Sequence, residues 1–411
     1  MHRQRPSAII SIAMPVGLYI SIPFCQTKCS YCNFASGVFS RSLYSQYVDR
    51  LVEELRRAPK TAERMGGRFD REVDAIYLGG GTPTILPPEQ LEGLFRAVRE
   101  SFAVTAGAEI TVECAPGTLD PPMLQTLLRC GVTRVSLGVQ SMVDTEAAAV
   151  GRRHTRAVVL DDIERLRSAG IENINVDLIA GLPHQTEQSW GVSLSETITS
   201  GVPHVSVYML EVDEDSRLGR ELMAGGTRYH AHFVPDEDAT ADFYVEACRR
   251  LEAGGVSQYE ISNFARADAD SRHNLKYWTR EPYFGFGVDA HSMLRAADGQ
   301  FEAVRFSAPD SLEGFLSGAP LNQMPVSRQS AKEETFFLGL RLNQGVDLDE
   351  VALGFGLDSD LEEIIAQLCA DEFMERLGNR IRLTERGRLM SNEVFERFLA
   401  ESEMPARDGG A

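Results

Sequence analysis

The chain has 411 residues, 43% hydrophobic and 25% charged, the proportions of a folded protein with room for two or three domains. Its 41 basic and 60 acidic residues give a formal net charge of −19, which disfavours nonspecific binding to nucleic acid or to an anionic membrane. Seven cysteines, three clustered and four scattered, make no disulfide framework and suit a reducing cytoplasm with one metal-binding cluster.

In chain order, residues 1–14 read as a ragged, flexible leader, with Met14 an alternative start. The apolar run after Arg3 and Arg5 is short, contains Pro15 and lacks a small-residue cleavage site. "GLYISI" at 17–22 reads as a buried strand. "SQYVDRLVEELRRA" carries helical spacing at Tyr47, Val48, Leu51 and Leu55. "VDAIYLGGGTPTIL" is a strand entering a Gly-rich turn, and "PPEQLEGLFRAVRESF" a helix with proline at its start. Strands at "AEITVECAP", "VTRVSLGVQS", "NINVDLIAGLP" and "HVSVYMLEV" then alternate with helical stretches, two of which close on Gly131 and Gly170.

Regular alternation with short loops predicts an α/β fold, a partial (β/α)6 barrel of TIM type over residues 15–235. Beyond residue 212 the sequence turns polar and irregular. Residues 236–325 read as a barrel extension, in which "QYEISNFARADADSRHNLKYWTREPYFGFGVDAHSM" resembles an excursion over a site. Residues 326–400 form a mostly helical, winged-helix-like C-terminal domain, and 401–411 a flexible tail. With 9 Lys/Arg against 18 Asp/Glu over residues 331–411, that domain is a poor reader of DNA.

The chemistry concentrates at strand ends. Cys25, Cys29 and Cys32 put three thiols on one loop, with no fourth Cys or His nearby. Structural zinc wants four ligands, and a remote fourth ligand would be needed here. Three thiolates suit a [4Fe-4S] cluster with one iron open to an exogenous ligand. "GGGTP" at 79–83 lets backbone approach a ligand closely, or is simply a tight turn; it is not a P-loop, since no Gly-Lys-Ser/Thr follows. Glu113, Gln140, Arg152 and Asp177 stand at or just past strand ends. Singly each reads as a capping or surface residue. Together they suit a ligand with an amine, a ribose and a carboxylate. His230 and His232 could be metal ligands, although an exposed loop is the simpler reading.

The segments "YISIPFC", "YLGGGTPTIL", "GVTRVSLGVQS", "GRRHT", "DLIAGLP", "YEISNFA", "HNLKYW" and "FGFGVDAHS" span most of residues 17–400. Together with the Cys25-x3-Cys29-x2-Cys32 loop they resemble the radical S-adenosyl-L-methionine (SAM) superfamily and, within it, the oxygen-independent coproporphyrinogen III oxidase group. The resemblance implies that the three cysteines hold a [4Fe-4S] cluster whose open iron is chelated by SAM, the source of a 5′-deoxyadenosyl radical. It implies that Tyr19, Gly80 and Glu113 contact this SAM. Tyr31, Gly81, Thr82, Gln140, Arg152 and Asp177 match residues that contact a second SAM in the group's dehydrogenases.

That group holds dehydrogenases, which oxidatively decarboxylate coproporphyrinogen III, and heme chaperones. The dehydrogenases carry a fourth cysteine two residues after the third; here Phe34 occupies that position. Asn33–Phe34 and the run His273, Asn274, Tyr277, Trp278 match the chaperones. From the residues alone, His273 reads as a loop histidine beside core aromatics. The resemblance makes it an axial heme ligand, with Tyr277 and Trp278 packing on the macrocycle and His291 a second candidate. It implies a cytoplasmic protein that takes heme to an acceptor protein and draws on an electron donor. Nucleic acid has no part in this reading, and membrane contact is at most peripheral.

Overall fold

The computed structural model describes residues 14–214 and 216–399. The expected leader, apart from Met14, and the expected tail lie outside the described residues. Six parallel strands pair in sequence order: β1 (Val16–Ile22), β2 (Glu72–Gly80), β3 (Ala103–Cys114), β4 (Arg134–Gln140), β5 (Asn173–Ala180) and β6 (His204–Met209). They are joined through helices α1 (Ser42–Arg64), α2 (Pro88–Ser101), α3 (Pro121–Arg129), α4 (Asp144–Ala149), α5 (Arg156–Ser168) and α6 (Glu187–Ser200).

Every second strand residue is apolar and points outward. Leu18, Ile20, Ile76, Leu78, Val112, Leu137, Val176 and Val207 are buried in one core with the inner faces of the helices. Each such side chain contributes about 1.5–3 kcal/mol when fully buried. The intervening residues point into the barrel, and they are largely polar.

Three local readings are corrected. Helix α1 does not stop before Pro59 but runs on to Arg64. A proline inside a helix costs about 3 kcal/mol, and Ala58 and Ala62 on either side of it are buried against the same core. The stretch after residue 212, expected to be irregular, contains α7 (Arg217–Ala224), capped by the Ser216 hydroxyl and closed by Gly225 in the left-handed conformation.

The third concerns the segment expected to lie over a site. After α8 (Glu237–Ala253), β7 (Ser257–Glu260) and β8 (Asn263–Ala265) extend the sheet antiparallel from β6. Helix α9 (Arg272–Trp278) crosses the N-terminal end of the barrel, away from the strand ends where the cysteines sit. Its first amides, of Arg272 and His273, donate to the Glu109 carboxylate (3.2 and 3.3 Å). Lys276 reaches the carbonyl of Pro15 (3.0 Å), Asp74 (2.9 Å) and Glu281 (2.9 Å). The chain then returns as β9 (Tyr283–Phe286), parallel to β1, and β10 (His291–Arg295), β11 (Ala303–Ser307) and β12 (Asn322–Val326) complete a 12-stranded sheet. Since β1 and β6 do not pair, the barrel is open along one side.

The C-terminal domain combines helices with a small three-stranded antiparallel sheet and its own apolar core around Phe336, Leu340, Ile365 and Ile381. Arg341 lies 4.5 Å from the ring of Trp278 and so ties this domain to α9. No helix among the described residues is long and apolar enough to cross a membrane.

Lys276 is therefore a buried cation holding β1, β2 and the turn before β9 together. Its partners Asp74 and Glu281 are about one-third exposed, which moderates the cost of leaving them unpaired. Lys276→Met should lower stability by about 2–3 kcal/mol, seen as a lower urea midpoint with an unchanged slope. An unchanged midpoint would contradict this account of the barrel base.

Candidate functional site

The site forms where the C-terminal ends of the strands meet the cysteine loop. Backbone bonds dock the Gly-rich turn directly on that loop: the Gly81 amide donates to Ile22 O and the Thr82 amide to Phe24 O, both at 2.8 Å. A Cβ on Gly81 would stand 2.7 Å from Phe24 O, 2.8 Å from Ile22 O and 3.0 Å from Cys25 Sγ. Only glycine fits there. Gly80 adopts φ +99°, and a Cβ on it would lie 3.5 Å from the Tyr19 hydroxyl. Tyr19, Gly80 and Gly81 thus share one wall with Cys25.

Glu113, at the end of β3, locks this wall to its neighbour. One carboxylate oxygen accepts from the Gly80 amide (3.1 Å), the other from the Tyr77 hydroxyl (2.9 Å). Across the barrel, Asp177 accepts from Ser136 (2.9 Å) and from the Asn175 amide (2.7 Å). The Asn175 amide nitrogen is also within reach of Ser206 (3.0 Å), and its carbonyl meets Nδ1 of His204 (2.6 Å). Burial holds His204 neutral and pushes Asp177 up. Nδ1–H therefore donates to Asn175, and Nε2 accepts from Tyr259 (3.0 Å).

On the far rim, β4 ends in a bulge where Gln140 takes φ +71°. Such strain is sustained only where the surroundings over-determine it. Arg152 crosses the rim, donating to the Gly138 carbonyl and reaching Cys29 Sγ at 3.5 Å. Tyr31 packs on Val150, Ile179 and Leu182. Burial raises its pKa, as it does that of Cys25.

Tyr19, Tyr31, Gly80, Gly81, Thr82, Glu113, Gln140, Arg152 and Asp177 are all assembled at this mouth with the three cysteines. The thiols share one loop, yet no three His, Cys, Asp or Glu side chains among the described residues close on one point as a ready metal site. The donor set still fits an iron–sulfur cluster: three soft thiol ligands, a cationic neighbour in Arg152 beside Cys29, and glycine backbone pressed against them.

The His273 run is not part of this assembly. His273 is 1% exposed. Its ring lies inside the barrel base, 5.3 Å from Tyr77 and 6.2 Å from Tyr19 by centroid, with Nε2 2.8 Å from the Tyr277 hydroxyl. Tyr277 packs edge-on to Tyr283, and Trp278 lies beneath Arg341. The Asn274 amide is bonded to the capping hydroxyl of Ser271 (3.4 Å). In this fold the run packs into the barrel base and joins it to the C-terminal domain. His291 is exposed on β10, 3.7 Å from Asp289.

The family model of the radical SAM superfamily matches residues 19–195, and that of the HemN C-terminal domain residues 326–390. The heme chaperone HemW of Lactococcus lactis is 32% identical over 94% of this chain and 98% of its own length. Those of Bacillus subtilis (34%, 93% and 99%) and Escherichia coli (31%, 94% and 99%) match equally fully. The chain belongs to the HemW family of the radical SAM superfamily. A solved structure of the coproporphyrinogen III oxidase HemN from Escherichia coli, 24% identical, shares the fold, with a TM-score of 0.78 over 93% of this chain and 90% of that one. Membership of the radical SAM superfamily implies a [4Fe-4S] cluster and SAM.

Sequence reasoning missed the rest of the HemW-family barrel's interior: Tyr77, Arg134, Ser136, Asn175, His204 and Ser206. The signal was present. In "RVSLGVQ", "NINVDL" and "HVSVYM" every second residue is polar or glycine, which in a strand with both faces covered marks a hydrophilic lumen.

Burial, reinforced by Asp177, pushes Glu113 up from 4.5 to about 7. Between those values the folded chain holds a proton that the unfolded chain releases, so stability falls as pH rises through that window. Glu113→Gln should match the parent near pH 4.5 and exceed it by about 3 kcal/mol at pH 8 in urea unfolding. An equal difference at both pH values would contradict the assignment.

Proposed function

We propose that the chain is a cytoplasmic heme chaperone: it binds heme and passes it to an acceptor protein, and it carries a [4Fe-4S] cluster and SAM at the barrel mouth. The observation that carries this reading is Phe34. It stands where the dehydrogenases have a fourth cysteine, and it is 64% exposed on the same loop as the three thiols. Full-length likeness to HemW proteins from several bacteria supports the same choice. Neighbouring Asn33 is bonded to Asp213 (3.1 Å), which anchors the loop to the segment before α7.

Within this reading Cys25, Cys29 and Cys32 hold the cluster, and Tyr19, Gly80 and Glu113 face the SAM bound to it. Tyr31, Gly81, Thr82, Gln140, Arg152 and Asp177 line the remaining volume, which would take a second SAM or another polar ligand. The cluster and SAM supply one-electron chemistry when bound. The chain's own contribution is a buried, hydrogen-bonded wall that orients them and limits water. An electron donor completes the system, with no part for nucleic acid and at most peripheral membrane contact.

Anaerobic reconstitution should give about four irons and four sulfides per chain, lost in Cys29→Ser. Heme-loaded protein should pass its heme to an apo-heme protein. With coproporphyrinogen III, SAM and reductant it should form no protoporphyrinogen IX; formation of that product would replace the chaperone reading with the dehydrogenase one.

A further inference from the structure

Resting on the reading that the chain binds heme, we propose that the heme iron is taken at the barrel rim by His230, backed by His184. His184 lies in the loop after β5 and His230 in the turn after α7. The fold sets His184 Nε2 3.1 Å from His230 Nδ1. Both residues hold a left-handed backbone, φ 68° and 62°, which costs a non-glycine residue about 1 kcal/mol or more.

The surroundings enforce that arrangement. The His184 amide donates to the Phe233 carbonyl (2.9 Å). The buried Glu221 carboxylate accepts from the amides of Tyr229 (2.7 Å) and Ala231 (3.2 Å), clamping the residues on either side of His230. The Phe233 ring stacks on His184 at 4.1 Å and is 57% exposed. Two imidazoles are thus held in a fixed relation beside an open aromatic face.

A metal-ligating histidine usually donates its second ring N–H to a neighbour, which fixes the ring and raises its basicity. In the tautomer where His230 Nδ1–H donates to His184, the Nε2 lone pair of His230 is bare. No third His, Cys, Asp or Glu joins the pair among the described residues, so a free ion needing four protein ligands is poorly served. A porphyrin iron already has four nitrogens. It needs one protein donor, an apolar surface and cations for its propionates. Phe233 offers the surface and Arg228, held over Tyr229, a cation. The rim is continuous with the cluster mouth, because α7 rests on the cysteine loop: the Leu218 amide donates to Ser30 O (2.9 Å) and Arg217 to Lys28 O (3.1 Å).

The test is hemin titration of the full, anaerobically reconstituted chain, read by the Soret band and by low-spin ferric EPR. Asparagine tolerates the left-handed backbone, so His230→Asn and the double variant His184→Asn/His230→Asn keep the turn. Circular dichroism and iron content report folding. The parent should bind hemin saturably with an imidazole-ligated spectrum. Both variants should lose that spectrum and bind about tenfold or more weakly, while His232→Asn, an exposed neighbour, binds as the parent does. A folded double variant with the parent's spectrum and affinity would overturn the site. If the double variant does not fold, the single variant decides by the same criterion. A parent without saturable hemin binding would overturn both the site and the chaperone reading.

Discussion

The arrangement on which this molecule depends is a barrel with polar residues inside. The strands give their apolar alternation to the helices, so the lumen receives Tyr19, Tyr77, Glu113, Arg134, Asn175, Asp177 and His204. Groups of that kind are tolerated in a buried space only when bonded. The network from Asp177 through Asn175 and His204 to Tyr259 supplies those bonds on one side. Tyr77, Glu113 and the Gly80 amide supply them on the other. An interior bonded in this way cannot collapse like a hydrocarbon core. It keeps its shape and offers polar groups to whatever enters from the open end.

The two ends of the barrel then have different tasks. At the base, α9 and the Lys276 ion pairs seal the lumen, with His273 as a neutral plug among tyrosines. At the mouth, glycines bring backbone against the cysteine loop, and Arg152 spans from β4 to Cys29. Glu113 is the hinge between these tasks. Its carboxylate ties two strand ends together within the wall that faces the cysteines, and burial keeps its proton affinity high.

Much of this was legible in the sequence. The alternation of strands and helices specified the partial barrel, and the cysteine spacing with "GGGTP" located the mouth. The His273 run illustrates the limit. Its residue types suit heme, but its position below the barrel is decided by contacts with Glu109, Asp74 and Pro15, more than 160 residues away in the chain. Helix α1 passes Pro59 because packing beyond the proline outweighs a local rule. The meeting of His184 with His230 is likewise tertiary. A histidine in a turn carries no local mark of the partner it will face.

The central claim is that the mouth holds a cluster with one iron open to SAM. The most direct measurement is the EPR spectrum of the reduced, reconstituted cluster before and after SAM is added. The account predicts a changed g-pattern on SAM addition, lost in Glu113→Ala. A spectrum that SAM leaves unchanged in the parent protein would contradict it.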